Sequence, residues 1–264
     1  MLTSHLIAQT PMGDIQNGPL THTQASRLAV ISGAQMGLPA SLTRTAMYVG
    51  PLHKSPSTPG PPVPVVVFMH GSSGLGLQAI AEWQQWLAGM GVASLAPDSF
   101  GLQDKLTYHS PIDKDTYEQV HALRTSEILL ALAAIRHLPW ADSSRLVLAG
   151  SSEGAVSVAR YTGKEFAGRI IFAWSCEDNY FVSAHKTAIA DDQPALNIIS
   201  TQDPYFSPAN SWLGNSQAVG HAGAALQNNP QARVVLIPGS QHTVFNLPQA
   251  KEPVEAFLKD LFKL

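Results

Sequence analysis

The segment Gly150-Ser151-Ser152-Glu153-Gly154 puts one serine between two glycines, each two residues away. A serine hydroxyl attacks a carbonyl carbon only when a base takes its proton, and it is best presented on a tight turn from a strand into a helix. A β-carbon at either flanking position would crowd such a turn, so Gly150 and Gly154 suit it. Ser152, not Ser151, holds the central position. Further along, Asp203 and His242 supply an acid and a base in the order nucleophile, acid, base. Each of the three follows a short apolar run: 146–149 before Ser152, 196–200 before Asp203, and 234–237 before His242. Taken alone, the pattern around Ser152 could mark an ordinary helix cap, and Asp203-Pro204 an ordinary turn. Three loop residues lining up behind three strands outweigh those readings. His121 and His137 fall in a predicted helix, and His185 and His221 come before the required strand end. Asp178, in an earlier loop, is the main alternative acid.

A second glycine-rich turn, His70-Gly71-Ser72-Ser73-Gly74-Leu75-Gly76, follows the apolar run Val65 to Met69. Such a turn aims backbone N–H groups at a ligand. With the N–H of Glu153, a donor from Ser72 or Ser73 would hold the oxyanion that forms when a serine attacks a carbonyl. Nucleotide cradles need G-x-G-x-x-G, or a G-x-x-x-x-G run followed by Lys. This run reads G-x-x-G-x-G with no lysine after it, so neither template is matched.

These loops need a scaffold, and the chain reads as one. Apolar runs at 65–69, 92–96, 146–149, 170–174, 196–200 and 234–237 suit buried strands. Helices are predicted between them over 77–89, 115–137, 153–162 and 216–228, with a terminal helix over 252–264. A further strand is expected over 43–49. The alternation predicts an α/β fold, a mostly parallel central sheet with helices on both faces. Ligands then bind beyond the carboxyl ends of the strands, where all the candidates fall. The length of 264 residues suits a single domain, with 1–60 as an N-terminal extension with first strands and 61–264 as the catalytic core. The proline-rich stretch 54–64 reads as a surface loop rather than a linker.

Composition narrows the function classes. Hydrophobic residues make up 45% and charged residues only 13%, so a large core is expected and a disordered chain is not. The formal charge of −3 carries no polybasic signature for nucleic acid or an anionic membrane. One cysteine, Cys176, excludes an intrachain disulfide. No secretory signal or spanning segment is read near the N-terminus, so a cytoplasmic location is the expectation.

His70-Gly71-Ser-Ser-Gly, Ala96-Pro-Asp98-Ser-Phe100, the Ser152 turn, Asp203 and His242 together give the chain a pattern that resembles the dienelactone hydrolase family of α/β-hydrolases. The resemblance spans roughly residues 60–264. It implies the α/β-hydrolase fold with a small or absent cap, and hydrolysis without a metal or organic cofactor. Two positions depart from it. The namesake enzymes carry a cysteine where Ser152 stands, and an arginine for a substrate carboxylate where Asn246 stands. A plain ester or other acyl compound fits these residues better than dienelactone.

Phe100, Tyr108, Tyr180, Tyr205 and Phe206 lie on loops at the same rim and are expected to wall an apolar pocket. The expected partner is a small ester-like molecule, cleaved through a Ser-His-Asp triad and an acyl-enzyme. A non-catalytic binding protein and an acyltransferase on the same fold are the alternatives. The oligomeric state is open, with a homodimer one option.

Overall fold

The computed structural model describes residues 13–264 except 17, 57–59, 102–105 and 186. In chain order the elements are β1 (Ile15–Gln16), α1 (Gln24–Ser32), β2 (Gln35–Leu38), α2 (Ala40–Thr43), β3 (Tyr48–Pro51), β4 (Val63–Met69), α3 (Gln78–Gly89), β5 (Ala93–Ala96), β6 (Thr107–Tyr108), α4 (Lys114–Arg136), β7 (Ala141–Ser151), α5 (Glu153–Arg160), β8 (Gly168–Phe172), β9 (Ala195–Ser200), β10 (Ala232–Ile237) and α6 (Pro248–Phe262). Eight strands form one sheet in the order β10-β9-β8-β7-β4-β5-β2-β3. The run from β10 to β5 is parallel; β2 pairs antiparallel with both β5 and β3.

The unbroken apolar runs occupy the middle of this sheet because both of its faces are covered. All seven residues of β4 are buried. Val65, Val67 and Met69 join one core with Ile128, Leu132 and Val156 of α4 and α5. Val66 and Phe68 join the other core with Trp83 of α3 and Phe257 of α6. This is the two-residue alternation of a strand, with an apolar partner on each side. Asp113 starts α4 by accepting the Thr116 N–H at 2.8 Å, and Arg136 sits in its last turn.

Four sequence expectations need correction. The helix expected over 216–228 is a set of turns. Several of its N–H groups go to side chains instead: Glu177 accepts from Val219 and Gly220, and Asn197 accepts from Ala222 at 3.0 Å. Gly220 adopts φ +80°, which a continuing helix cannot use. The strand expected over 43–49 begins only at Tyr48, because α2 ends at Arg44 in the left-handed region, φ +65°. Helix α1 and strand β2, in the segment expected to hold an extension and first strands, were not predicted. Strand β2 is a sheet member by its pairing with β5, which its own four residues do not advertise. The last helix begins at Pro248 rather than 252, with Pro253 inside it. Among the described residues, no helix is long and apolar enough to cross a membrane.

Candidate active site

Strand β7 passes straight into α5, and Ser152 stands at the junction with φ +55° and ψ −119°. A non-glycine residue in that region is strained and held by its surroundings. Its N–H donates to the Phe172 carbonyl of β8 at 3.0 Å, and its carbonyl accepts the Ala155 N–H at 3.0 Å. The glycines make the turn sterically possible. A β-carbon on Gly154 would lie 2.1 Å from the Met69 carbonyl oxygen, and one on Gly150 would lie 2.7 Å from the Gly154 carbonyl oxygen.

Asp203 follows β9 and is fully buried. Its Oδ1 accepts the N–H groups of Tyr205 and Phe206 at 2.9 and 3.1 Å, within its own loop. Its Oδ2 lies 2.8 Å from His242 Nδ1. The loop carrying His242 is pinned to the end of β9, because the Ser200 hydroxyl donates to the Gln241 carbonyl at 2.5 Å. Tyr205 packs edge-on to the imidazole at 4.6 Å between ring centres. With the proton on Nδ1 and directed at Asp203, Nε2 carries the lone pair.

Ser152 and His242 line one cavity of about 390 Å³. Ser72 and Ser73, the expected oxyanion residues, line it as well, with Tyr108, Tyr180, Tyr205 and Phe206 of the expected pocket wall. Phe100 does not. It faces a smaller neighbouring cavity and packs on the His70 ring at 4.9 Å. No Lys, Arg, Asp or Glu is among the described residues around the larger cavity. Asp178, the alternative acid, is engaged elsewhere: it accepts the His185 N–H at 2.7 Å and pairs with the His185 ring at 2.9 Å. Asn246, at the position of the family arginine, donates to the Glu82 carboxylate.

Behind the turn after β4 lies a buried polar cluster that sequence reasoning missed. Arg124 of α4 pairs with Glu127 at 3.1 Å and with Glu153 at 3.4 Å, and it donates to the His70 carbonyl at 2.5 Å. Glu127 also accepts from the Ser99 hydroxyl and meets the His22 ring at 3.1 Å. His70 bonds through both ring nitrogens: Nδ1 lies 2.7 Å from the Gly71 carbonyl, and Nε2 accepts the Ser99 N–H at 3.2 Å. This fixes the turn that holds Ser72 and Ser73. The expected part played by Glu153 was its backbone N–H; its side chain also accepts from Tyr108, whose hydroxyl is held well above its ordinary range, first by burial and then by that carboxylate. The only sequence signal for this cluster is charge at inward-facing positions of α4, visible once the helix face is known.

The order of the sheet and the loops gathered at its carboxyl edge make this an α/β-hydrolase-fold protein. Solved structures share the fold. TT1662 from Thermus thermophilus is 19% identical, with a TM-score of 0.55 over 78% of this chain and 92% of that one. Est1E from Butyrivibrio proteoclasticus, solved with ferulic acid bound, is 17% identical, with a TM-score of 0.54 over 88% and 95%. A phospholipase/carboxylesterase from Dyadobacter fermentans is 18% identical, with a TM-score of 0.52 over 92% and 100%. No curated protein matches the chain. The chain belongs to the dienelactone hydrolase family, whose model matches residues 50–260. With that family it is a carboxylic ester hydrolase.

Proposed function

We propose that this hydrolase cleaves neutral esters through a covalent acyl-enzyme on Ser152. The observation that carries the reading is the His242–Asp203 pair at 2.8 Å, on a cavity it shares with a serine held at positive φ. Ser152 Oγ attacks the ester carbonyl and its proton passes to His242 Nε2. The oxyanion accepts from the Glu153 N–H and from a donor on the Ser72–Ser73 turn. The carbon–oxygen bond to the alcohol then breaks, and His242 returns the proton to that oxygen. Water, deprotonated by the same imidazole, attacks the acyl carbon; the bond to Ser152 Oγ breaks and His242 returns that proton to Oγ, releasing the acid. Asp203 keeps the ring in place and stabilises the imidazolium.

Neutral substrates follow from the walls. A carboxylate brought into this cavity would give up its hydration with no Lys or Arg among the described lining residues to replace it. A fluorophosphonate probe tests the nucleophile: intact-mass and peptide analysis should find one adduct, on Ser152. An unlabelled protein that still hydrolyses short p-nitrophenyl esters would refute the assignment. One that binds such esters without turnover would instead be a binding protein on this fold.

A further inference from the structure

Beside the Ser152 cavity lies a second, smaller one of about 70 Å³. Its walls are Pro19, Leu20, Phe100, Leu106, Val120 and Leu123, with the paired Arg124 and Glu153 at its polar end. Tyr108 and Ser72 line both cavities. We propose that Tyr108 is the specificity-determining residue for acyl length, a partition that ends the acyl site and shuts off the apolar cavity behind it. The proposal rests on Ser152 being the nucleophile.

The chemistry sets the direction. His242 must hand its proton to the leaving oxygen, so the alcohol lies on the imidazole side, against Tyr205 at 4.6 Å and Phe206 at 5.8 Å. The acyl substituent is directed away from the imidazole, toward the wall that Tyr108 provides. The rear cavity, lined mainly by apolar side chains, offers room for the end of a longer acyl chain.

Tyr108 is held from three sides. Its hydroxyl donates to Glu153, and its ring stands edge-on to Tyr117 at 5.4 Å. Its backbone forms β6, which pairs with β1 through Ile15↔Tyr108 and Gln16↔Thr107. The pairing is extended by His109 N–H to the Asp14 carbonyl at 2.8 Å and by Gly13 N–H to the Pro111 carbonyl at 2.7 Å. The approach is close enough that a β-carbon on Gly13 would lie 1.8 Å from the His109 carbonyl oxygen. Strand β1, Pro19 and Leu20 all precede residues 50–260, the stretch that the family model matches. The partition is therefore braced, and its rear cavity partly closed, by chain outside the matched region.

The test compares kcat/KM for p-nitrophenyl octanoate and butanoate. Tyr108→Ala should raise the octanoate-to-butanoate ratio about tenfold, the effect of burying roughly two more methylenes. Adding Leu20→Phe, which refills the rear cavity, should reverse most of that gain. Tyr108→Phe keeps the ring, so its ratio should stay close to wild type even if kcat falls. Gly13→Val, which pushes β1 off β6 without altering a cavity residue, should move the ratio in the direction of Tyr108→Ala. If Tyr108→Ala does not fold by circular dichroism, Tyr108→Val takes its place in the same comparison. An unchanged ratio in the folded small-residue variant overturns the proposal, as does a Tyr108→Phe shift equal to it or a failure of Leu20→Phe to reverse it. Fluorophosphonate capture of the wild type separates the two levels. Capture with no ratio change removes only the partition, whereas no capture removes the nucleophile assignment itself.

Discussion

The two walls of the Ser152 cavity are built in opposite ways. The His242 wall is local: Asp203 is fixed by the N–H groups of the second and third residues after it, and His242 is pinned through the residue before it. The Tyr108 wall is assembled over long distances in sequence. Residues 22, 70, 99, 108, 124, 127 and 153 meet in one buried cluster of charges and hydroxyls. The first wall needs only loop chemistry at the ends of two adjacent strands. The second exists only when helix α4, the N-terminal segment and the turn after β4 are all in place. Damage to the first should therefore be felt in turnover, and damage to the second in stability.

The sharpest break of that comparison is Asp203→Asn. It keeps the shape but disturbs the tautomer and charge at His242, and kcat should fall by about 10⁴. Circular dichroism should find a fold close to wild type; a variant that melts early and retains turnover would reverse the assignment of the two walls. Next comes Glu127→Ala. It leaves Arg124 buried with one carboxylate partner fewer, a loss of about 3–5 kcal/mol for a broken buried pair. The melting temperature should drop by several degrees, and kcat measured well below it should change far less than in Asp203→Asn. Urea unfolding of both variants checks the contrast.

At neutral pH the smallest expected effect is at His121, where the contribution emerges only as a pH slope under the Tyr108 wall. His121 stacks beside Tyr117 and touches Phe181, with Glu118, Arg124 and Arg160 the charged groups around it. Burial, and after it the Arg160 charge, pull it from 6.5 to about 3. Between those values the unfolded chain holds a proton that the folded protein does not. Stability contributed by the neutral ring is thus complete above pH 6.5 and is lost as pH falls toward 3, by about 1.4 kcal/mol per pH unit. His121→Phe should flatten the stability profile over pH 4–6. An equal slope in wild type and variant would assign the acid sensitivity to other groups.

Legibility in the sequence follows the same division. The turn around Ser152, the order of Asp203 and His242, and the run Val65 to Met69 are local patterns, and they were readable because the physics that sets them acts within a few residues. Phe100 lines the neighbouring cavity rather than that of Ser152, since an aromatic in a rim loop does not reveal which side of His70 it will take. The composition of segment 216–228 permits a helix. Three of its N–H groups are taken by Glu177 and Asn197, from distant parts of the chain.

The amino-acid order alone determined the alternation of strands and helices, the tight serine turn and the succession of its partners. Tertiary structure decided the rest: strand β2 gains its place by pairing with β5, and Arg124 becomes tolerable in the interior only where two carboxylates and the His70 carbonyl converge on it. Propensity and periodicity act between near neighbours, whereas buried charge and sheet edges are satisfied only by groups that the finished fold brings from far along the chain.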